Sequence, residues 1–197
     1  MPSDIHLESP PRPVRRLRRA ERREQVLAAA TRAFARAGFA ATSLDDIAAE
    51  ADVSRVILYR HFDSKTDLYR AVLERAGARL AAAVGQGQFT SASVAAMVEA
   101  AAEDPDGFRL LFHHAAREPE FRTDVDRFRE ESVELAYRHL ADRIPEPAWA
   151  RWAAQLAPTM AVDAVIAWLD EGQPDRDEVA GRIGQLLSGV VQAARPR

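Results

Sequence analysis

Arg55, Tyr59, Arg60, His61 and Lys65 fall within one eleven-residue window, and each carries a donor that a phosphate oxygen accepts. Thr42 and Ser43 add two hydroxyls shortly before it, beside what reads as a helix start. Val56 and Ile57 stand among these polar residues. Apolar side chains on the open face of a short helix are costly in water, but in a DNA major groove they meet thymine methyl groups. The chemistry implied is recognition of a polyanion rather than bond making. Nothing else in the chain offers a catalytic alternative: it has no cysteine nucleophile, Gly-rich phosphate loop, Gly-x-Ser-x-Gly elbow or motif-spaced acid pair. His113-His114 with Glu118 invites a metal reading, but adjacent helical residues point about 100° apart and serve one ion poorly. We therefore expect no metal and no cofactor.

Three helix starts position these residues. Val26, Leu27, Ala30, Phe34 and Ala37 recur at spacings of three and four, predicting a helix over residues 21–37 that buries one stripe and stops at Gly38. Ser43-Leu-Asp-Asp46 has capping-box form and opens a second helix burying Leu44, Ile47, Ala48 and Ala51. Ser54 opens a third, in which Val53, Leu58 and Phe62 face inward and Arg55, Val56, Ile57, Tyr59, Arg60 and His61 mostly outward. Ser64-Lys-Thr-Asp67 repeats the capping box ahead of a longer helix with Leu68, Tyr69, Val72 and Leu73 inward. Two short helices joined by a turn of about three residues form a helix-turn-helix. Beyond Gly85 the pattern is helical over residues 91–103, 106–117, 119–143, 147–171 and 175–194, with breaks at Pro105, Pro119, Pro145, Pro147, Gly172 and Pro174 and a kink or break at Pro158. The fold class is all-α.

The residues Val53-Ser-Arg-Val-Ile-Leu-Tyr-Arg-His-Phe-Asp-Ser-Lys-Thr-Asp-Leu68, preceded by Gly38-Phe-Ala-Ala-Thr-Ser-Leu-Asp-Asp-Ile-Ala48, closely resemble the DNA-binding head of the TetR family of bacterial repressors. The resemblance covers about residues 20–75. It implies a homodimeric all-helical repressor, a palindromic double-stranded DNA operator, and a divergent C-terminal body that binds a small-molecule inducer and dimerises through its last two helices. By resemblance, Thr42 and Ser43 touch phosphates, Arg55, Val56 and Ile57 face bases, and Tyr59, His61 and Lys65 hold the backbone. Asp52 stands where members often carry Gly; Asp tolerates a left-handed conformation better than most residues. Val56-Ile57 stands where Gly-Thr is frequent, which alters the expected operator rather than the activity.

The division expected is a flexible Arg/Pro-rich arm over residues 1–18, a head over 19–66, and a connecting helix with a ligand-binding and dimerisation body over 67–197. The arm holds four prolines and, counted to Arg19, five arginines. Residues 1–84 carry 15 Lys+Arg against 11 Asp+Glu, and residues 85–197 carry 12 against 19, so a basic head sits on an acidic body although the whole chain is at −3. Asp45, Asp46, Glu50 and Asp52 around the second helix oppose that charge, so the arm is expected to supply part of the attraction to DNA. In the body, Phe89, Met97, Phe108, Phe112, His113, Tyr137, Trp149, Trp152 and Met160 are large. Of these, Phe108, Phe112, His113, Tyr137, Trp152 and Met160 are the candidates to line a ligand cavity, although any one of them is equally at home in a core. Ala161, Ala164, Val165 and Trp168, with Val179, Ile183, Leu187 and Val190, form stripes that would pair across a two-fold axis. The absence of cysteine fits a reducing cytoplasm, and the apolar run over 156–169 is too short to span a bilayer. The alternative to a regulator is a helical module that binds a small molecule without regulating DNA.

Overall fold

The computed structural model describes residues 19–85 and 90–196. The expected arm over 1–18 and Phe89 lie outside the described residues. Nine α-helices follow in order: α1 Arg19–Ala41, α2 Leu44–Glu50, α3 Arg55–Tyr59, α4 Lys65–Val84, α5 Ser91–Glu103, α6 Pro105–Arg109, α7 Arg122–Leu140, α8 Pro147–Asp170 and α9 Arg176–Ala193. No strand occurs among the described residues.

Four members of the α1 stripe are buried as its period requires, Val26, Leu27, Ala30 and Phe34 at 1% exposure or less, whereas Ala37, next to the break at Gly38, is exposed. Gly38 takes φ 78°, ψ 169°, so helical geometry breaks there, but one further turn carries the element to Ala41. That break leaves carbonyl groups without helical partners. The Thr42 hydroxyl answers one of them, donating to Gly38 O at 2.7 Å with Ala33 O at 3.2 Å. Lys65 answers others, its Nζ donating to Phe39 O at 2.8 Å and Thr42 O at 3.1 Å while lying 4.4 Å above the Phe39 ring.

Head and body share one apolar core, running from Val26 on α1 through Leu68 and Val72 on α4 to Val98, Leu110 and Val165. At its centre Phe34, Phe39, Tyr69 and Phe121 pack ring against ring, with centroids 4.4–4.9 Å apart where Tyr69 meets Phe121, Phe34 meets Tyr69 and Phe39 meets Phe121. Polar links flank this junction. Thr66 donates to Glu120 at 3.0 Å, and Arg75 pairs with Glu24 of α1 at 2.9 Å and with Asp104 at 3.4 Å. Asp104 also caps α6 by accepting from Gly107 N at 3.0 Å.

Three regions depart from the helical periods. The helix expected over 106–117 divides into α6, a π-helical turn Leu110–His114 and a 3-10 turn Ala115–Arg117. The helix expected over 119–143 begins as a 3-10 turn, Pro119–Phe121, and becomes α-helical at Arg122. Glu118 is extended (φ −92°, ψ 112°) because the ring of Pro119 excludes helical geometry from the residue before it. Conversely, α8 runs through Pro158 without the expected break. Its length and mean hydropathy of 1.2 would allow it to cross a membrane, but 39% of that window is buried inside the molecule, where α8 packs on α7 and α9.

The stripes expected to face a partner are internal. Ala161, Val165, Trp168, Val179, Ile183, Leu187 and Val190 are buried within the chain, and Ala164 is half-buried. Helical period fixes which residues share a face, but own core and partner look alike in sequence. The exposed large apolar groups of α8 and α9 are instead Trp149, Trp152 and Leu186, the two indoles packing edge to face at 5.6 Å.

Thr42 tests the account of the α1–α2 turn. Thr42→Val keeps the shape but removes the donor from buried carbonyls, and is expected to cost about 1–2 kcal/mol in urea unfolding. Thr42→Ser, which keeps the hydroxyl, should recover most of it.

Candidate DNA-binding surface and ligand cleft

Helix α2 starts on a complete capping box: Ser43 Oγ accepts from Asp46 N at 3.1 Å, and Ser43 N donates to Asp46 Oδ2 at 2.9 Å. The Ser43 hydroxyl, donating at 2.7 Å, and then the Ser43 N–H hold the Asp46 carboxyl below its usual pKa. The turn after α2 places Asp52 at φ 50°, the left-handed conformation in which Asp substitutes for Gly. From α1, Gln25 Nε2 donates to Ala51 O at 2.8 Å and pins this turn. Arg32 and Arg36 of α1 both grip Glu50, at 2.9 and 3.0 Å, and hold its carboxyl below the usual range.

Helix α3 is only five residues long and depends on anchors. Leu58 is 1% exposed and Phe62, just beyond the helix, 4%. Around them Val56 is 63% exposed and Tyr59 48%, with Arg55 and Arg60 also exposed. Ile57 and His61 are half-buried, so Ile57 faces solvent less fully than its position in the motif implies. Arg55 reaches Asp45 of α2 at 3.1 Å and the Tyr59 hydroxyl at 3.2 Å, lying 5.6 Å from the Tyr59 ring centroid. The pair with Asp45 is exposed and screened, so it orients the guanidinium more than it stabilises the fold.

Three of the residues expected at phosphates already spend their donors internally. The Thr42 side chain is buried and bonded to α1 carbonyls, the Ser43 hydroxyl lies 2.7 Å from Asp46 Oδ2, and the Lys65 ammonium sits against the end of α1. The acceptors of Thr42 and Lys65 are backbone carbonyls, which have no letter in a sequence, so these two donors read as free. Tyr59, Arg60 and His61 remain on the α3 side. Burial and then the charges of Arg19, Arg23 and Arg22 depress the pKa of His61 below that of a free imidazole.

Of the six candidates for a ligand cavity, only Phe112 lines the apolar cleft of about 400 Å³ between α4, α7 and α8. Leu80, Met97, Phe128, Pro158 and Val162 complete much of its wall. Phe108 is buried against Phe112 and borders a different hollow beside α5. His113 lies on the π-helical turn with its ring 5.6 Å from that of His114. Tyr137 is half-buried beneath Arg151, Trp152 is exposed, and Met160 packs between the two cores. The missed wall residues had a signal: Phe128, Ser132 and Leu135 share one face of α7 at helical spacing, but only one is aromatic. Among the described residues no three His, Asp or Glu side chains converge on a metal position.

An anchored recognition helix on a three-helix head, continued by a long helix into an all-helical body, defines a helix-turn-helix DNA-binding regulator. Residues 26–72 match the model of the bacterial regulatory proteins of the tetR family. The transcriptional activator FasR of Mycolicibacterium smegmatis is 34% identical over 190 residues, spanning 91% of this chain and 84% of its own. A transcriptional repressor of Mycobacterium tuberculosis is 47% identical over 55 residues, or 28% of this chain and 29% of its own. The TetR-like regulator of Rhodococcus sp. RHA1 superposes with a TM-score of 0.72 at 25% identity, covering 90% of this chain and 97% of that one. The chain belongs to the TetR family of transcriptional regulators, which are DNA-binding proteins and not enzymes.

Asp52 offers a sharp test of this surface. Asp52→Gly relieves the left-handed backbone and should stabilise the head by about 0.5–1 kcal/mol in thermal unfolding. Because it also removes an exposed carboxylate from the helix-turn-helix, DNA affinity should rise in parallel.

Proposed function

We propose that the protein is a cytoplasmic homodimeric repressor that binds a palindromic operator and is released by a small, largely apolar molecule. The observation that carries this reading is the open display of Val56 and Tyr59 on a helix anchored by Leu58 and Phe62. One such helix reads one half-site, and two held by a two-fold axis read half-sites about 34–36 Å apart. Trp149, Trp152 and Leu186 supply the exposed apolar surface of the last two helices on which a second copy would close. The cleft fits an inducer, and α4 borders it at Leu80 and Val84 while carrying Leu68 and Tyr69 in the head's core. A ligand that shifts the body half of α4 would therefore change the separation of the two heads.

The sign of regulation has a second reading. The relative from Mycolicibacterium smegmatis that matches nearly the whole chain is named an activator. The same head and cleft serve activation where the operator lies upstream of the polymerase site. Run-off transcription from the bound promoter, with and without the protein, separates the two.

Fluorescence anisotropy on fragments of the promoter beside its own gene, taken as a salt series, tests the operator. Saturable binding to one palindromic fragment is expected. Val56→Ala with Tyr59→Ala should weaken it at least about tenfold while leaving the melting curve in place, since both side chains are exposed. No affinity for any duplex, beside tight binding of an apolar ligand, would favour the sequestering module instead.

The dimer is tested independently. Trp149→Glu with Trp152→Glu should convert a dimer to a helical monomer by light scattering. A parent that is already monomeric at micromolar concentration would sink the two-fold model.

A further inference from the structure

Across the head and α4, most guanidinium groups are committed to carboxylates. Arg32 and Arg36 hold Glu50, Arg55 holds Asp45, Arg70 holds Asp124, and Arg75 and Arg79 hold Glu24 and Asp104. Arg19, Arg22, Arg23 and Arg60 form no ion pair with any carboxylate among the described residues. Three of these belong to the first turns of α1 and gather on one side. Arg23 lies 5.2 Å from the centroid of the Phe62 ring, whose neighbour His61 is 6.3 Å away, and Arg22 donates to Gln25 at 2.9 Å. Arg19 and Arg23 are exposed, and Arg22 and His61 are half-buried. Like charges so grouped repel one another, and a polyanion laid across them removes the cost.

We propose that Arg19, Arg22, Arg23 and His61 form a second phosphate-binding patch, outside the α2–α3 pair, which holds the DNA backbone beside the base pairs that α3 reads. The patch rests on the DNA-binding reading of the head and joins to His61 three arginines that the helix-turn-helix motif does not contain. It also answers an electrostatic difficulty. Thr42 and Lys65 are turned to backbone carbonyls, the Ser43 hydroxyl is held by Asp46, and Asp45, Asp46 and Asp52 are exposed around α2, so the motif itself offers little net attraction. The missing cations stand on α1, next to the end of α3. Contacts of this kind carry no sequence information and fix the register of the head on the duplex.

The test is a salt titration of the full chain on two labelled duplexes, one from the promoter beside its own gene and one of scrambled sequence. Arg19→Gln, Arg22→Gln and Arg23→Gln together should weaken binding to both by a similar factor, about tenfold or more. The slope of log affinity against log salt should flatten by about 2–3 per protomer, close to 0.9 per lost phosphate contact. Arg32→Gln with Arg36→Gln, whose charges already face Glu50, is the comparison and should flatten it by less than half as much. A steep parent slope that the triple variant leaves unchanged overturns the patch while the DNA reading stands. Equal flattening in the comparison variant also overturns it, since net charge alone would then explain the loss. If the parent binds neither duplex, the DNA reading falls and takes the patch with it. Should the triple variant fail to fold, Arg19→Gln and Arg22→Gln singly decide, each with an expected flattening of about 0.9.

Discussion

Everything in the molecule depends on the contact of four rings. Phe34 and Phe39 come from α1, Tyr69 from α4, and Phe121 from the turn that leads into α7. The Tyr69 hydroxyl is buried without a hydrogen-bond partner, and burial, with the charge of Glu118, raises its pKa. An orphaned hydroxyl costs about 1–3 kcal/mol. Each edge-to-face pair returns roughly 0.5–1.5 kcal/mol beyond the area it buries, and Tyr69 makes two such contacts, with Phe34 and Phe39, besides a tilted one with Phe121. The packing therefore prevails over the orphan. The first turn of α4 is fixed to the head and to the body at once, so the head has no separate core on which to pivot.

Beyond that junction, α4 changes character. Ala76, Gly77, Ala81, Ala82 and Ala83 give its body half short side chains, so neighbouring helices stand off and leave hollows on both sides. At Gly77 an added methyl would meet Phe128 at 3.9 Å, an ordinary contact, so the hollow is open space rather than a tight fit. Alanine keeps the helix stable without filling the space around it. A single helix is thus rigidly seated at one end and loosely packed at the other. On the proposed reading, a ligand in the cleft would move the body half of α4 without unfolding the junction.

The sequence made some of this legible and hid the rest for physical reasons. Caps are partly legible: Ser43 forms the full box its spacing implies, Ser64 accepts from Asp67 N while Asp67 accepts from Asp63 N instead of Ser64, and Ser54 makes no side-chain cap bond. Asp52 was readable because few residues accept positive φ. The π-helical turn at Leu110–His114 has no such mark, since its residues suit an α-helix equally well. Apolar stripes reveal a buried face but not its owner, so Val165 and Ile183 read as partner-facing when they are internal. The wall of the cleft escaped for a related reason: a side chain beside a void and one inside a core obey the same helical period.

The fate of Lys65 shows how one local break redirects a whole interface. Gly38 interrupts α1 just before its end, and the interruption leaves Phe39 and Thr42 with outward carbonyls near the start of α4. A cation placed there is held by carbonyl dipoles and by the face of Phe39, whereas at a phosphate it would compete with water and salt. The internal site prevails, and the only lysine of the chain becomes part of the scaffold under Ser43. Arginine suits the outer positions better, because its planar fork binds phosphate with two donors and tolerates stacking on a ring, as Arg23 does on Phe62. The head thus separates its two kinds of cation by task. Lysine shapes the turn that carries α2, and the uncommitted arginines of α1 are left to meet the polyanion.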